Sequence, residues 1–290
     1  MRVGRWFQAG RFSRRFIAIS SAIGLVAVGG GSYALAAGVS GNGSGGWTTC
    51  TEDAHADVAN DMIVRNNGGQ SMCLSSPNYG DNFSVTKSSA DSAWVDFPNI
   101  YTGCEYDGAS SGQLCTRGHG TPPRLSSIGQ DTSSVSYHMP ASGFAGNAAY
   151  DIWFNKTGGT PYGRDNGAEV MIWLGASGVG SPGYTRKAYI DGTWWGYDSW
   201  MAAHSGGSWN YIRYWRLSGY GASDSSVKNL NLRPFFSDAE KQGTLSSSWY
   251  LTGTQFGFET SSGGAGLKVN SFSDTIQGTR RYLGGLQHKS

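Results

Sequence analysis

The run Gly167-Ala168-Glu169-Val170-Met171-Ile172-Trp173-Leu174-Gly175 constrains this chain more than any other stretch. Large and β-branched residues closed by glycines favour a strand, and side chains on a strand alternate between its two faces. Val170, Ile172 and Leu174 therefore share one face and need a core, while Glu169, Met171 and Trp173 share the other. An acid, a thioether and an indole together suit a sugar groove; the competing reading is an edge strand whose glutamate stands in plain solvent. The same alternation returns 90 residues later, where Gln255, Gly257 and Glu259 oppose Phe256 and Phe258. Two strand-borne acids able to open onto the concave face of one folded sheet make paired carboxylates a serious hypothesis.

The rest of the sequence supports a single all-β domain. Forty-five glycines, eleven tryptophans and fifteen tyrosines, with short apolar runs between Gly/Ser/Asn turns, read as many strands. One helix is expected from about 233 to 243: Pro234 suits a first turn, Phe235, Phe236 and Ala239 face a sheet, and Gly243 stops it.

Residues 1–36 read as a secretory signal peptide. Arg2, Arg5, Arg11, Arg14 and Arg15 precede the apolar run Phe16–Val28, and Ala34-Leu35-Ala36 supplies a small-x-small cleavage site. Ser13-Arg14-Arg15-Phe16-Ile17 matches a twin-arginine signal only in part, which leaves the export route open. Without its leader the chain carries seventeen basic against twenty acidic residues, about −3, so no nucleic-acid partner is expected. Residues 37–46 are a flexible Gly/Ser lead-in, and 278–290 a basic tail bearing Arg280, Arg281 and Lys289. The expected product is secreted and monomeric, with no membrane attachment after cleavage.

An exported chain with four cysteines favours disulfides. Of three possible connectivities, Cys50 with Cys73 and Cys104 with Cys115 each close a local loop or hairpin. No C-x-x-C spacing occurs and His55, His119, His138, His204 and His288 are scattered, so neither a metal nor another cofactor is expected. Gly108-Ala109-Ser110-Ser111-Gly112 and Gly178-Val179-Gly180-Ser181-Pro182-Gly183 match nucleophile-elbow and dinucleotide-binding patterns, but neither opens a helix; both read as turns.

Several stretches arrive in an order that resembles glycoside hydrolase family 12, small secreted endo-β-1,4-glucanases. They are Asn147–Phe154, Glu169–Trp173, Gly180–Pro182, Trp249–Glu259 and Gly263–Phe272, with Asn66-Asn67 and Phe97-Pro98 upstream, and they define a catalytic domain over 47–277. The resemblance implies a β-jelly roll of two antiparallel sheets, one curved into an open substrate cleft, with one helix outside. By motif position it implies Glu169 as nucleophile, Glu259 as acid/base and Asp151 as the residue hydrogen-bonded to the nucleophile. A retaining glycosidase needs its two carboxyls about 5 to 5.5 Å apart, one ionised and one protonated.

Met171, Trp173, Trp153, Asn67, Trp195 and Pro182 are the candidate substrate-binding residues, and Trp47 and Tyr150 are further candidate sugar platforms. A Trp that follows the paired Asn in many members is replaced here by Gly68-Gly69. The expected substrate is a cellulose-type β-glucan cleaved by double displacement. Xyloglucan or mixed-linkage glucan is the alternative, and a non-catalytic carbohydrate-binding jelly roll a further one.

Overall fold

The computed structural model describes residues 39–40, 45–67, 72–107, 112–117, 120–158, 166–204, 207–218 and 224–276. The signal peptide, most of the lead-in, Gly68-Gly69 and the basic tail lie outside the described residues. The strands form a jelly roll of two layered sheets, twelve-stranded and six-stranded among the described residues. At the centre of the large sheet, Phe144–Asn155 lies between the two acid-bearing strands, Tyr250–Gly263 on one side and Gly167–Ser177 on the other. Outward from the Glu169 strand follow Gly207–Arg216, Thr193–His204 and the edge strand Arg186–Ile190.

The sheet is mixed, not antiparallel throughout: Gly167–Ser177 pairs in parallel with Gly207–Arg216, Glu169 opposite Tyr211. Leaving the Glu169 strand at Ser177, the chain crosses to the sheet edge before it turns back through two antiparallel pairings. The last strand of that excursion therefore runs in the direction of the first.

The period-2 pattern is realised as read. Val170, Ile172, Leu174, Phe256 and Phe258 enter the core between the sheets, while Met171 joins Phe97, Ala149, Trp173 and Tyr211 in a separate cluster on the concave face. The helix spans Arg233–Lys241, with Phe235, Phe236 and Ala239 buried. Phe236 packs edge-on against Phe154, and Gly243, at φ +73°, ends the segment in a conformation that other residues rarely adopt. Both expected disulfides form, Cys50–Cys73 and Cys104–Cys115.

One polar feature interrupts the core. Asp131 and Asp274, both buried, come from neighbouring antiparallel strands, Asp274 directly opposite Ser133. The charge of Asp274 bears directly on Asp131 and raises its carboxyl further. Thr254, the Thr275 amide and Tyr150 surround them, and none of these is basic.

Candidate active site

Strand register collects the acids. On the concave face of Phe144–Asn155, Asn147 stands opposite Glu259, Asp151 opposite both Gln255 and Met171, and Trp153 opposite Glu169. A bulge at Ala148/Ala149 bends this strand between the two acids, and others at Ala145/Gly146 and Trp153/Phe154 flank them. Glu169 and Asp151 are each only 8% exposed, so solvent screens their charges poorly.

Each glutamate has its own donor. The Trp209 indole N–H donates to Glu169 Oε2 at 2.6 Å, and Asn147 Nδ2 donates to Glu259 Oε2 at 2.5 Å. Burial pushes the Glu169 carboxyl well above the usual carboxylate range; the charges of Asp151 and Glu259 add to this and the Trp209 bond opposes it. Burial also raises Glu259, against the Asn147 bond and the positive charge of Arg213. Asp151 is raised well above its ordinary value by burial, with Trp153 opposing and Glu105 and Glu259 adding. These carboxyls therefore sense one another's charge in a desolvated cleft, the environment in which proton inventory is tightly controlled.

A polar network flanks them. Glu105 takes an ion pair from Arg65 at 3.1 Å and hydrogen bonds from Asn67 at 3.1 Å and Asn99 at 3.4 Å; Asn99 also donates to Gln255 at 2.9 Å. The opposite wall is the strand Gly207–Arg216, whose concave-face residues are Trp209, Tyr211, Arg213 and Trp215. Tyr211 donates its hydroxyl to the Met171 sulfur at 3.1 Å and stacks on Trp200 at 4.2 Å between centroids. The Arg213 guanidinium lies 4.9 Å from the centre of Trp173 and 5.3 Å from that of Trp200.

A model of glycosyl hydrolase family 12 matches residues 64–277. The chain belongs to that family. Endoglucanase S of Pectobacterium parmentieri is 31% identical over 160 residues, 54% of this chain and 58% of its own length, so this chain spans little more than half of that relative. Probable cellulase Cel12b of Mycobacterium tuberculosis is 29% identical over 163 residues, 55% of this chain and 99% of that protein. Among solved structures, endoglucanase cel12A from Rhodothermus marinus matches with a TM-score of 0.69 at 33% identity, covering 80% of this chain and 99% of that one.

On this family 12 scaffold the structure sorts the expected substrate residues. Trp153 and Trp173 are half-buried on the concave face, Trp153 with its ring 5.9 Å from that of Trp209, and Met171 is buried beneath Tyr211. Asn67 belongs to the Glu105 network. Trp195 does not reach the cleft: it points into the core, packs on Phe235 at 4.9 Å and donates to the Ile190 carbonyl. Trp47 and Tyr150 are core residues as well. Pro182 is buried in its loop, which meets the cleft wall instead at the Gly183 carbonyl, 3.3 Å from Arg213. Sequence reading missed Trp209, Tyr211, Arg213 and Glu105, although Trp-x-Tyr-x-Arg-x-Trp over 209–215 carries the same period-2 signal that singled out Glu169.

Proposed function

We propose that this chain is a secreted, retaining endo-β-1,4-glucanase. The observation that carries the reading is the pair of strand glutamates on one face, Glu169 buried and Glu259 half-buried, each held by a different neutral donor. In the first step Glu169 attacks the anomeric carbon while Glu259 protonates the departing glycosidic oxygen. The Trp209 bond favours the ionised form of Glu169 that this attack requires. Asp151, diagonal to Glu169 on the neighbouring strand, places a second carboxyl in its field and orients the site. Forming the glycosyl ester removes the negative charge of Glu169, so Glu259 gives up its proton more readily and then takes one from the attacking water.

Release of reducing ends from carboxymethyl cellulose, xyloglucan and barley β-glucan, with the anomeric configuration of the first product read by proton NMR, tests this reading. No release from any of the three, or an inverted product, would overturn it. A second reading, preference for branched or mixed-linkage glucan, draws on Gly68-Gly69 in place of an aromatic after Asn67. Relatives in Neosartorya fischeri and Aspergillus terreus carry the name probable xyloglucan-specific endo-beta-1,4-glucanase A. A non-catalytic carbohydrate-binding protein would have no use for two desolvated acids. Secretion follows from the leader, and no helix among the described residues is long and apolar enough to cross a membrane.

A further inference from the structure

Among the described residues, the large apolar side chains left exposed are Tyr184, Tyr189, Trp194, Trp200 and Met201. All fall between 184 and 201, in the two strands at one edge of the concave sheet and the loop leading into them. Ala188, Ile190 and Trp195 enter the core, so alternation turns Tyr189 and Trp194 to the cleft side. They stand directly opposite each other, ring centroids 5.2 Å apart, 63% and 53% exposed. The surface continues inward from them. Trp215 lies against Gly196, where an added Cβ would come within 2.4 Å of its Nε1, and Tyr184 sits 5.8 Å from Trp215. Arg213 then bridges Trp200 and Trp173 beside the acids.

The Trp194 strand lies two strands from the Glu169 strand, about 10 Å, and Trp194 sits level with Leu217, six residues along from the Tyr211 that faces Glu169, about 20 Å at roughly 3.3 Å per residue, which is too far to touch the reacting sugar. A groove beside Trp194 is lined by Lys187, Thr193, Leu217 and Ser218. An indole flanked by an amine and hydroxyls offers stacking for the apolar face of a pyranose and partners for its hydroxyls. The exposed area of Tyr184, Tyr189 and Trp194 is on the order of 300 Å², given roughly 200 Å² for a whole aromatic side chain. That falls well short of the roughly 800 Å² per partner of a stable protein pair, which argues against a second copy as the occupant.

We propose that Tyr189 and Trp194 form a second carbohydrate-binding site at the edge of the concave sheet, holding a β-linked glucan chain where it runs out of the cleft. The identity of the polymer rests on the glucanase reading above. The test uses Tyr189→Ala/Trp194→Ala, changes outside the core that leave the melting temperature as in the wild type. Retardation by barley β-glucan, xyloglucan and carboxymethyl cellulose in native gels is measured in a Glu169→Ala background, and kcat/KM on cellotetraose in the active enzyme. The expected result is at least fivefold weaker retardation by one or more polymers, with kcat/KM on cellotetraose within twofold of wild type. Unchanged retardation by all three overturns the site, as does an equal loss on cellotetraose, which would make these residues part of the cleft. A change confined to self-association in sedimentation overturns it too. Should the wild type cleave no glucan, the glucanase reading falls alone: polymer retardation that the double variant loses would still uphold the site, and its absence in both would not.

Discussion

Replacing Asp274 by Asn should remove a stability cost that the protein carries above neutral pH. Burial of Asp274, offset only in part by the neighbouring Asp131, Thr254 and Thr275 amide, raises its carboxyl from an ordinary 3.8 to about 7, and Asp131 is raised well above its ordinary value. The unfolded chain releases the Asp274 proton near pH 4, whereas the folded chain holds it until about pH 7. Through that window the unfolded state binds fewer protons, so stability is fully present below pH 4 and falls as pH rises to 7. A gap of roughly three pH units at 1.36 kcal/mol each gives about 4 kcal/mol. For a domain of this size that corresponds to roughly 8–16 °C in Tm. The cleft carboxyls Glu169, Glu259 and Asp151 are raised in the same direction, so the assay is a difference: urea melts of wild type and Asp274→Asn from pH 4.5 to 8.5. The variant should gain on the wild type across this range by a figure approaching 4 kcal/mol. Parallel stability curves would show that the pair titrates normally and that the reasoning from its burial is wrong.

Four further outcomes are expected. Glu169→Ala should abolish turnover while keeping the fold, with azide restoring a reaction that yields a glycosyl azide of inverted anomeric configuration; appreciable activity without azide would remove Glu169 from the nucleophile role. Glu259→Gln should slow natural glucans by about 10²–10⁴-fold yet spare the glycosylation step of dinitrophenyl cellobioside, whose leaving group needs no proton, and equal losses on both would argue against the assignment. Trp209→Phe deletes a bond that favours the Glu169 carboxylate, worth about 1.5–3 kcal/mol, so the acid limb of kcat/KM should move up by roughly one to two pH units. An unmoved limb in the pH profile would make that contact structural only. Reduction of the two disulfides should lower stability by about 2–4 kcal/mol each, measured by denaturant melts with and without reductant.

Period 2 made much of the site legible. It placed Glu169 and Glu259 on strands, sent Val170, Ile172, Phe256 and Phe258 to the core, and left Met171 and Trp173 on the concave face. Pro234 and Gly243 bracketed the helix because each acts locally, through a fixed φ and a left-handed turn. Alternation has no sign, however. Trp194 and Trp195 are adjacent and equally apolar, and only the arrival of Phe235 behind the sheet decides that Trp195 is the inward one. The Asp131–Asp274 pair depends on a strand register across 143 residues, which no local pattern encodes. The parallel placement of Gly207–Arg216 hides for the same reason, and with it went the roles of Trp209 and Tyr211.

The central position of Phe144–Asn155 also bears on the order in which the protein can assemble. One of its edges is covered as soon as Gly167–Ser177 exists, but the other waits for Tyr250–Gly263, about a hundred residues later. Pairings over such separations close slowly, because loop entropy is lost before contacts compensate for it. During synthesis the chain thus passes through a long interval with a twelve-residue open edge in the middle of its future cleft. Open edges of this length invite pairing with other chains. The Glu259 strand is then a closing strand as well as a carrier of the acid, and a chain cut short before residue 250 would lose its protection against aggregation together with its chemistry.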